Sequence, residues 1–333
     1  MYIIGFTICI ALGVFLAWQN PSWIANIKLE IKDYRQYHQI KKKLWNRGFH
    51  LVSIKSSSDG KNQEAYYYSS KASNSKPLIV SLHTWAGDYR EYDSIALMSK
   101  SKNINYIHPN FRGSNTTPNS CCSPLALSDI DDAIDFAIDN GNVDLNKIYV
   151  IGKSGGGLAT LSLFMKSKHN INTFSSWVPI SDLNQWYKEG IIRNSEFTDD
   201  IVNCTSSDSG HLDPAKAKER SPMYWPTPTE ERKNAKLKIF AGVYDGITGN
   251  VPITHSIHFY NKVVAAFGAV DSLDYVSEEQ KIILMAKRNS FGDYGKISDR
   301  SIFFQKRFKN IELIIFEGGH EMLTSHAFKD LLD

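Results

Sequence analysis

The chain has 333 residues, 42% hydrophobic and 22% charged, with a formal net charge of +3. That balance excludes a disordered, collagen-like or coiled-coil chain and gives no general case for nucleic-acid binding. Its four cysteines are too few for a scaffold built from disulfides.

The charge is unevenly placed. No Lys, Arg, Asp or Glu precedes Lys28, whereas residues 28–47 hold seven basic and two acidic side chains. The remainder of the chain is therefore near neutral. Tyr2 to Trp18 is an unbroken, mostly apolar run. As a helix it measures roughly 26 Å at about 1.5 Å per residue, near the lower limit for crossing a bilayer. Residues 1–27 are accordingly expected to form a membrane anchor, with a cleaved signal or a buried helix as the competing readings. A signal peptide wants a basic start and a small-x-small cleavage site, and neither is evident here. The cations after the run favour a cytoplasmic body by the positive-inside rule, although the sidedness stays open. Ile27, just before residues 28–48, and Ile31, Tyr34, Tyr37, Ile40 and Leu44 within them recur at helical spacing. That segment reads as a basic amphipathic linker helix, lying on an anionic membrane surface or leading, solvated, into the body.

From Phe49 onward, β-like and helical patterns alternate. His50 to Ile54 and Ala65 to Tyr68 form an opening pair of strands separated by a polar turn. Pro77 to Leu82 suits a strand buried on both faces, and Ile104 to Ile107 is a short strand. Ser123 caps a helix with Pro124 in its first turn, and Leu127, Ile130, Ile134 and Ala137 form its apolar stripe. Ile148 to Ile151 is a strand leading into a helix through Leu158, Leu161 and Met165. Phe174–Ile180, Leu237–Val243 and Ile311–Phe316 are three further strands. The alternation predicts an α/β fold, a mainly parallel central sheet flanked by helices over 49–333. Two stretches interrupt it: a cap-like excursion over 182–236, and a second insertion over 270–300 with a helix near Glu278 to Lys287. Insertions of this length usually overlie strand ends and shape a pocket.

The peptide richest in chemistry runs from Ile148 to Gly157. It is a strand, then Gly152-Lys153-Ser154-Gly155-Gly156, then a helix, the setting of a nucleophile elbow. A Gly-rich turn without catalysis is the plain alternative. The letters Gly-Lys-Ser also suggest a phosphate loop, but that motif needs a glycine where Lys147 stands. An elbow serine needs a base and an orienting acid later in the chain. Asp245 follows one predicted strand and His320 follows another, through Glu317-Gly318-Gly319. Strand ends put all three on one rim of a parallel sheet. Ser154 would attack, His320 would take and return the proton, and Asp245 would fix the imidazole tautomer. The oxyanion donors are expected to be the Gly155 amide and an amide from the loop His83 to Asp88, Trp85 by preference or Thr84 otherwise. His83 is expected to be structural, ordering that loop.

These residues resemble the α/β-hydrolase superfamily, specifically the catalytic domains of prolyl-oligopeptidase-like (S9-like) serine hydrolases. The resemblance runs from about Lys76 to the C-terminus. It is carried by Gly152-Lys153-Ser154-Gly155-Gly156, by Asp245 with Val251-Pro252-Ile253-Thr254-His255-Ser256, and by Gly318-Gly319-His320. Asn110-Phe111-Arg112-Gly113-Ser114 resembles the family's Arg-Gly turn. Prolyl oligopeptidases carry a large β-propeller, and the residues before the hydrolase core are too few for one. Asp245 also lies seven residues before Pro252, slightly farther than in peptidase members. On those grounds the first expectation is a carboxylesterase on small acyl or carbohydrate-linked esters. An S9-like peptidase on short peptides is the alternative, and a silent binding protein of this fold is the non-enzyme reading. No metal or cofactor is expected.

Other residues carry weaker signals. Free thiols are the first expectation for the cysteines of the body; a disulfide from Cys204 to Cys121 or Cys122, pinning the excursion, is the alternative and would need an oxidising compartment. Cys9, in the apolar run, reads as passive. Asn115 and Asn203 sit in short glycosylation sequons. Arg112 would meet a substrate carboxylate or brace its own turn. Trp186, Tyr187 and Trp225 would line a substrate pocket or pack the excursion. Asp182 would tie that excursion down.

Overall fold

The structure is a computed structural model that describes residue 45 and residues 47–207 and 210–333. The chain divides into Met1–Gly48 and Phe49–Asp333. The apolar run Tyr2–Trp18 and the basic residues Lys28 to Lys43 lie outside the described residues. Among the described residues no helix is long and apolar enough to cross a membrane, so the expected N-terminal membrane helix gains no support from the fold.

The second unit is built on one sheet. Its strands are β1 (His50–Lys55), β2 (Asn62–Tyr68), β3 (Lys76–Leu82), β4 (Asn105–Pro109), β5 (Val143–Lys153), β6 (Thr173–Trp177), β7 (Lys236–Gly242), β8 (Lys296–Ile297), β9 (Arg300–Phe308) and β10 (Ile311–Phe316). They lie in the order β1-β2-β4-β3-β5-β6-β7-β10-β9-β8. From β4 across to β10 every neighbouring pair is parallel. The pairs at both edges are antiparallel. Parallel pairing needs helical crossovers, which bury both faces of the central strands. Strands β4, β6 and β10 are accordingly buried along their whole length.

The crossovers are helices α1 (Ser94–Ser101), α2 (Pro124–Asn140), α3 (Gly155–Lys166), α7 (Thr254–Ala266) and, after β10, α9 (Thr324–Leu332). Helix α2 packs on α3, and α1 on α9. The start of α2 is set as its sequence predicts. Ser123 accepts a hydrogen bond from the Ala126 amide at 3.0 Å, and Pro124 fills the first turn, where its missing N–H costs nothing.

The segment 182–235, up to the start of β7, contains no strand among its described residues. It forms α4 (Leu183–Arg193), α5 (Phe197–Cys204), α6 (Pro214–Glu219) and a 3₁₀ turn at Pro222–Tyr224. Asp182 caps α4 through the Gln185 amide and accepts the Tyr224 hydroxyl at 2.6 Å. It ties the start of the excursion to that 3₁₀ turn. A disulfide joins Cys204, at the end of α5, to Cys121, before α2, while Cys122 stays a buried free thiol. Burial pushes that thiol up to about 11. The bridge closes a loop of 83 residues. The Cys121→Ser/Cys204→Ser variant is therefore expected to be about 3–4 kcal/mol less stable, read from denaturant midpoints. Equal midpoints would mean that the bridge contributes nothing.

The second insertion contains α8 (Glu278–Ala286), inside the range read from the sequence, but it ends in strands β8 and β9, which that reading misses. Strand β9 lies next to the edge, covered on its outer side only by the two-residue β8, and its mixed burial pattern shows neither strict alternation nor an apolar run. Strand β6 stops at Trp177 and not at Ile180. Val178 takes φ +42°, which ends the extended run.

Candidate active site

Ser154 stands between β5 and α3 with φ +58° and ψ −116°. A non-glycine residue is costly there, and such strain concentrates at functional sites. The surroundings enforce it. The Ser154 amide donates to Trp177 O at 2.9 Å, and the Leu158 amide donates to Ser154 O at 2.9 Å. A Cβ on Gly152 would collide with the carbonyl of Gly156, and a Cβ on Gly156 with the carbonyl of Leu82. Strand and helix approach this closely because both positions are glycine.

Asp245 and His320 follow β7 and β10, two neighbours in the sheet. Asp245 Oδ1 accepts the Gly246 amide at 2.9 Å and the Val251 amide at 3.1 Å. Its Oδ2 lies 2.7 Å from His320 Nδ1. The carboxylate is buried, and as an anion it only accepts, so Nδ1 carries the proton and Nε2 presents its lone pair. No hydrogen bond joins Ser154 Oγ to the His320 ring in this structure. Such contacts often close only around substrate.

The loop after β3 supplies the other half of the site. The Trp85 amide abuts the elbow, since a Cβ on Gly155 would lie 2.5 Å from Trp85 N. Neither the Gly155 nor the Trp85 amide donates to an acceptor among the described residues. Thr84, the second-choice donor, is otherwise engaged. Its amide and hydroxyl both donate to Glu91, each at 2.7 Å. The carbonyl of the peptide that bears the Trp85 N–H is Thr84 O. It lies 2.9 Å from His83 Nδ1 and accepts the Gly87 amide at 3.2 Å. His83 stacks on Phe111 with ring centres 3.7 Å apart, and burial pushes its ring below the usual histidine range. It is the structural residue the sequence suggested. Trp85 O accepts the Asn115 amide at 2.8 Å, and Asn115 Oδ1 accepts from the Cys121 amide at 2.8 Å. Glu91 and Asn115 thus fix this loop. Sequence reasoning misses both roles, noting at Asn115, which is buried, only a short sequon match of a kind that often arises by chance. No sequence signal marks Glu91. A cleft of about 130 Å³ opens beside Gly152 and Lys153, lined also by Leu82, Thr84, Glu91 and Met322.

The candidate substrate contacts separate. Trp186 lies over the loop, edge-on to Trp85 at 4.8 Å and stacked on Phe197 at 5.5 Å. Tyr187 packs partly buried against the core. Trp225 is not at this site. Lys166 Nζ, at the far end of α3, sits 3.7 Å from its ring, one helix length or roughly 16 Å from the elbow. Arg112 takes the brace, the favoured of its two readings, and not the substrate contact. Its guanidinium pairs with Asp59 at 2.8 Å and with buried Asp129, and donates to Ser56 at 3.0 Å. It braces its own turn. Arg112→Met is expected to destabilise the fold by about 3 kcal/mol by stranding Asp129. The turnover of the folded fraction should stay within about twofold; a large rise in KM with unchanged stability would restore the substrate role.

The Prolyl oligopeptidase family model matches residues 125–279. Acylamino-acid-releasing enzyme 2 of Oryza sativa subsp. japonica is 27% identical over 180 residues, covering 50% of this chain and 22% of that protein. The Pyrococcus horikoshii acylaminoacyl peptidase superposes with a TM-score of 0.56 at 17% identity, covering 88% of this chain and 41% of that one. Oligopeptidase B from Leishmania major superposes with a TM-score of 0.55 at 12% identity, covering 85% and 36%. At these identities the structural likeness shows the α/β-hydrolase fold. The chain spans less than half the length of each of these proteins.

Proposed function

We propose that the chain is an S9-like serine hydrolase of the α/β-hydrolase fold and, within that class, a serine peptidase acting on short peptides through an acyl-enzyme. Ser154 Oγ attacks the carbonyl carbon while His320 Nε2 takes its proton. The Gly155 and Trp85 amides receive the oxyanion. His320 then protonates the leaving amine, and water repeats the sequence to release the acid. Asp245 holds the Nδ1–H and stabilises the imidazolium between the two steps. The observation that carries this chemistry is the 2.7 Å bond from Asp245 to His320 on the rim that also bears the strained Ser154.

The choice of peptide over ester rests on the relatives, which are named for releasing acylated amino acids or cleaving oligopeptides. The carboxylesterase expectation has no comparable support. A fluorophosphonate probe is expected to label wild type and not Ser154→Ala. A panel of aminoacyl and N-acyl-aminoacyl amides beside simple esters tests the rest. Hydrolysis of esters with no amide cleaved would overturn the peptidase reading, and equal labelling of Ser154→Ala would overturn the catalytic one.

The membrane anchor rests on the sequence of residues 1–27 alone. It predicts that the full chain stays with the membrane pellet through alkaline carbonate extraction; release into the supernatant would reject it.

A further inference from the structure

We infer that Arg193 and Trp186, both on α4, are positioning residues for the catalytic acid. This rests on the assignment of Asp245 and His320 as acid and base. Arg193 Nη2 donates to Asn250 O at 3.0 Å, and Trp186 Nε1 donates to the same oxygen at 2.8 Å. Arg193 Nη1 reaches Gly249 O at 3.3 Å and Gly246 O at 3.5 Å. The guanidinium is itself held, because its Nε donates to Glu189 O one turn earlier in α4 at 3.1 Å.

The peptide that receives both donors is the unit Asn250 C=O and Val251 N–H. Its N–H end is one of the two donors to Asp245 Oδ1. One rigid planar group therefore links α4 to the acid. A cation on the carbonyl oxygen polarises the peptide and strengthens its N–H as a donor. It also fixes the direction in which that N–H points. The second donor, Gly246 N–H, belongs to the same loop, whose Gly246 carbonyl also faces Arg193. The carboxylate is thus held on one oxygen by a loop that α4 grips from outside, and its other oxygen is left to His320.

The same excursion also reaches the oxyanion loop. Trp85 Nε1 donates to Asp200 Oδ2 on α5 at 3.1 Å. Helices α4 and α5 therefore contact the two loops that flank the nucleophile. In the sequence this stretch reads as a cap that shapes a pocket; its hydrogen bonds make it a support for the acid.

The test compares wild type with Arg193→Met, Arg193→Lys and Trp186→Phe. Trp186→Phe removes the indole N–H and keeps an aromatic ring. Readouts are the labelling rate with a fluorophosphonate probe, kcat and KM for p-nitrophenyl acetate, and the far-downfield proton resonance of His320 Nδ1–H in the unreacted protein. Arg193→Met is expected to lower the labelling rate and kcat by about 10- to 100-fold, with KM within about twofold, and to shift or broaden the resonance. Arg193→Lys, which keeps the charge and loses the fork, is expected to recover part of the rate. The double variant Arg193→Met/Trp186→Phe should lose less than the product of the single losses, because both donors serve one carbonyl. Unchanged kcat and resonance in a folded Arg193→Met would overturn the inference, as would a rise in KM alone, which would make Arg193 a substrate contact. If wild type itself is not labelled, the hydrolase assignment fails, while the resonance still decides whether Arg193 acts on the Asp245–His320 pair.

Discussion

Asp245→Asn is expected to lower kcat/KM by about 10⁴-fold with little change in stability. The size follows from which oxygen does what. Oδ1 accepts two backbone amides, from Gly246 and Val251, so the asparagine oxygen must occupy that position. Its NH₂ group then faces His320 Nδ1. An amide donor there forces the ring to carry its proton on Nε2, where Ser154 needs a lone pair. The geometry survives and the tautomer is wrong. Steady-state kinetics at neutral pH, with thermal melts to show that the fold is kept, measure it. A loss below about tenfold would mean that Asp245 does not set the tautomer.

Gly155→Ala is the second large effect. A Cβ at this position would lie 2.5 Å from Trp85 N and 2.6 Å from Trp85 Cα, so the oxyanion loop must move. Alanine suits the first turn of a helix, and the fold should tolerate the change. Catalysis should not, because displacing the loop separates the two amides proposed to receive the oxyanion. Loss of one such donor costs about 10²–10³ in kcat, and here the pair is disrupted. We expect a fall of about 10³-fold or more in kcat, with KM changing far less. Wild-type kcat in this variant would remove Trp85 from the oxyanion hole.

The parallel centre of the sheet and the triad candidates are legible in the sequence because local patterns mark them. Strand, glycine-flanked Ser154 and helix are contiguous, and Asp245 and His320 each follow an apolar run. The preference for Trp85 over Thr84 follows from the elbow template; in the structure the Thr84 amide is engaged by Glu91. The supports of the site are not legible. Glu91, Asn115 and Arg193 act through small sets of hydrogen bonds, mostly to backbone atoms of loops around the site, and neither periodicity nor motif records such pairings. Arg112 and Trp225 show the converse. Their residue types suggest recognition, but an arginine with two carboxylate partners and an indole under a lysine are satisfied within the fold. Strand β9 escaped because its partner β10 and not its own composition makes it a strand.

The close packing at the elbow sets how this region tolerates change over generations. The atoms that a new Cβ would strike at Gly152, Gly155 and Gly156 include main-chain atoms of Gly156, Trp85 and Leu82. A side-chain clash can be relieved by trimming the neighbour, whereas every residue has the same main chain. Compensating substitutions at the contacting positions are therefore closed off. A saturation library should show a step at these three positions, with glycine active and the rest depleted, and second-site suppressors should not cluster around them.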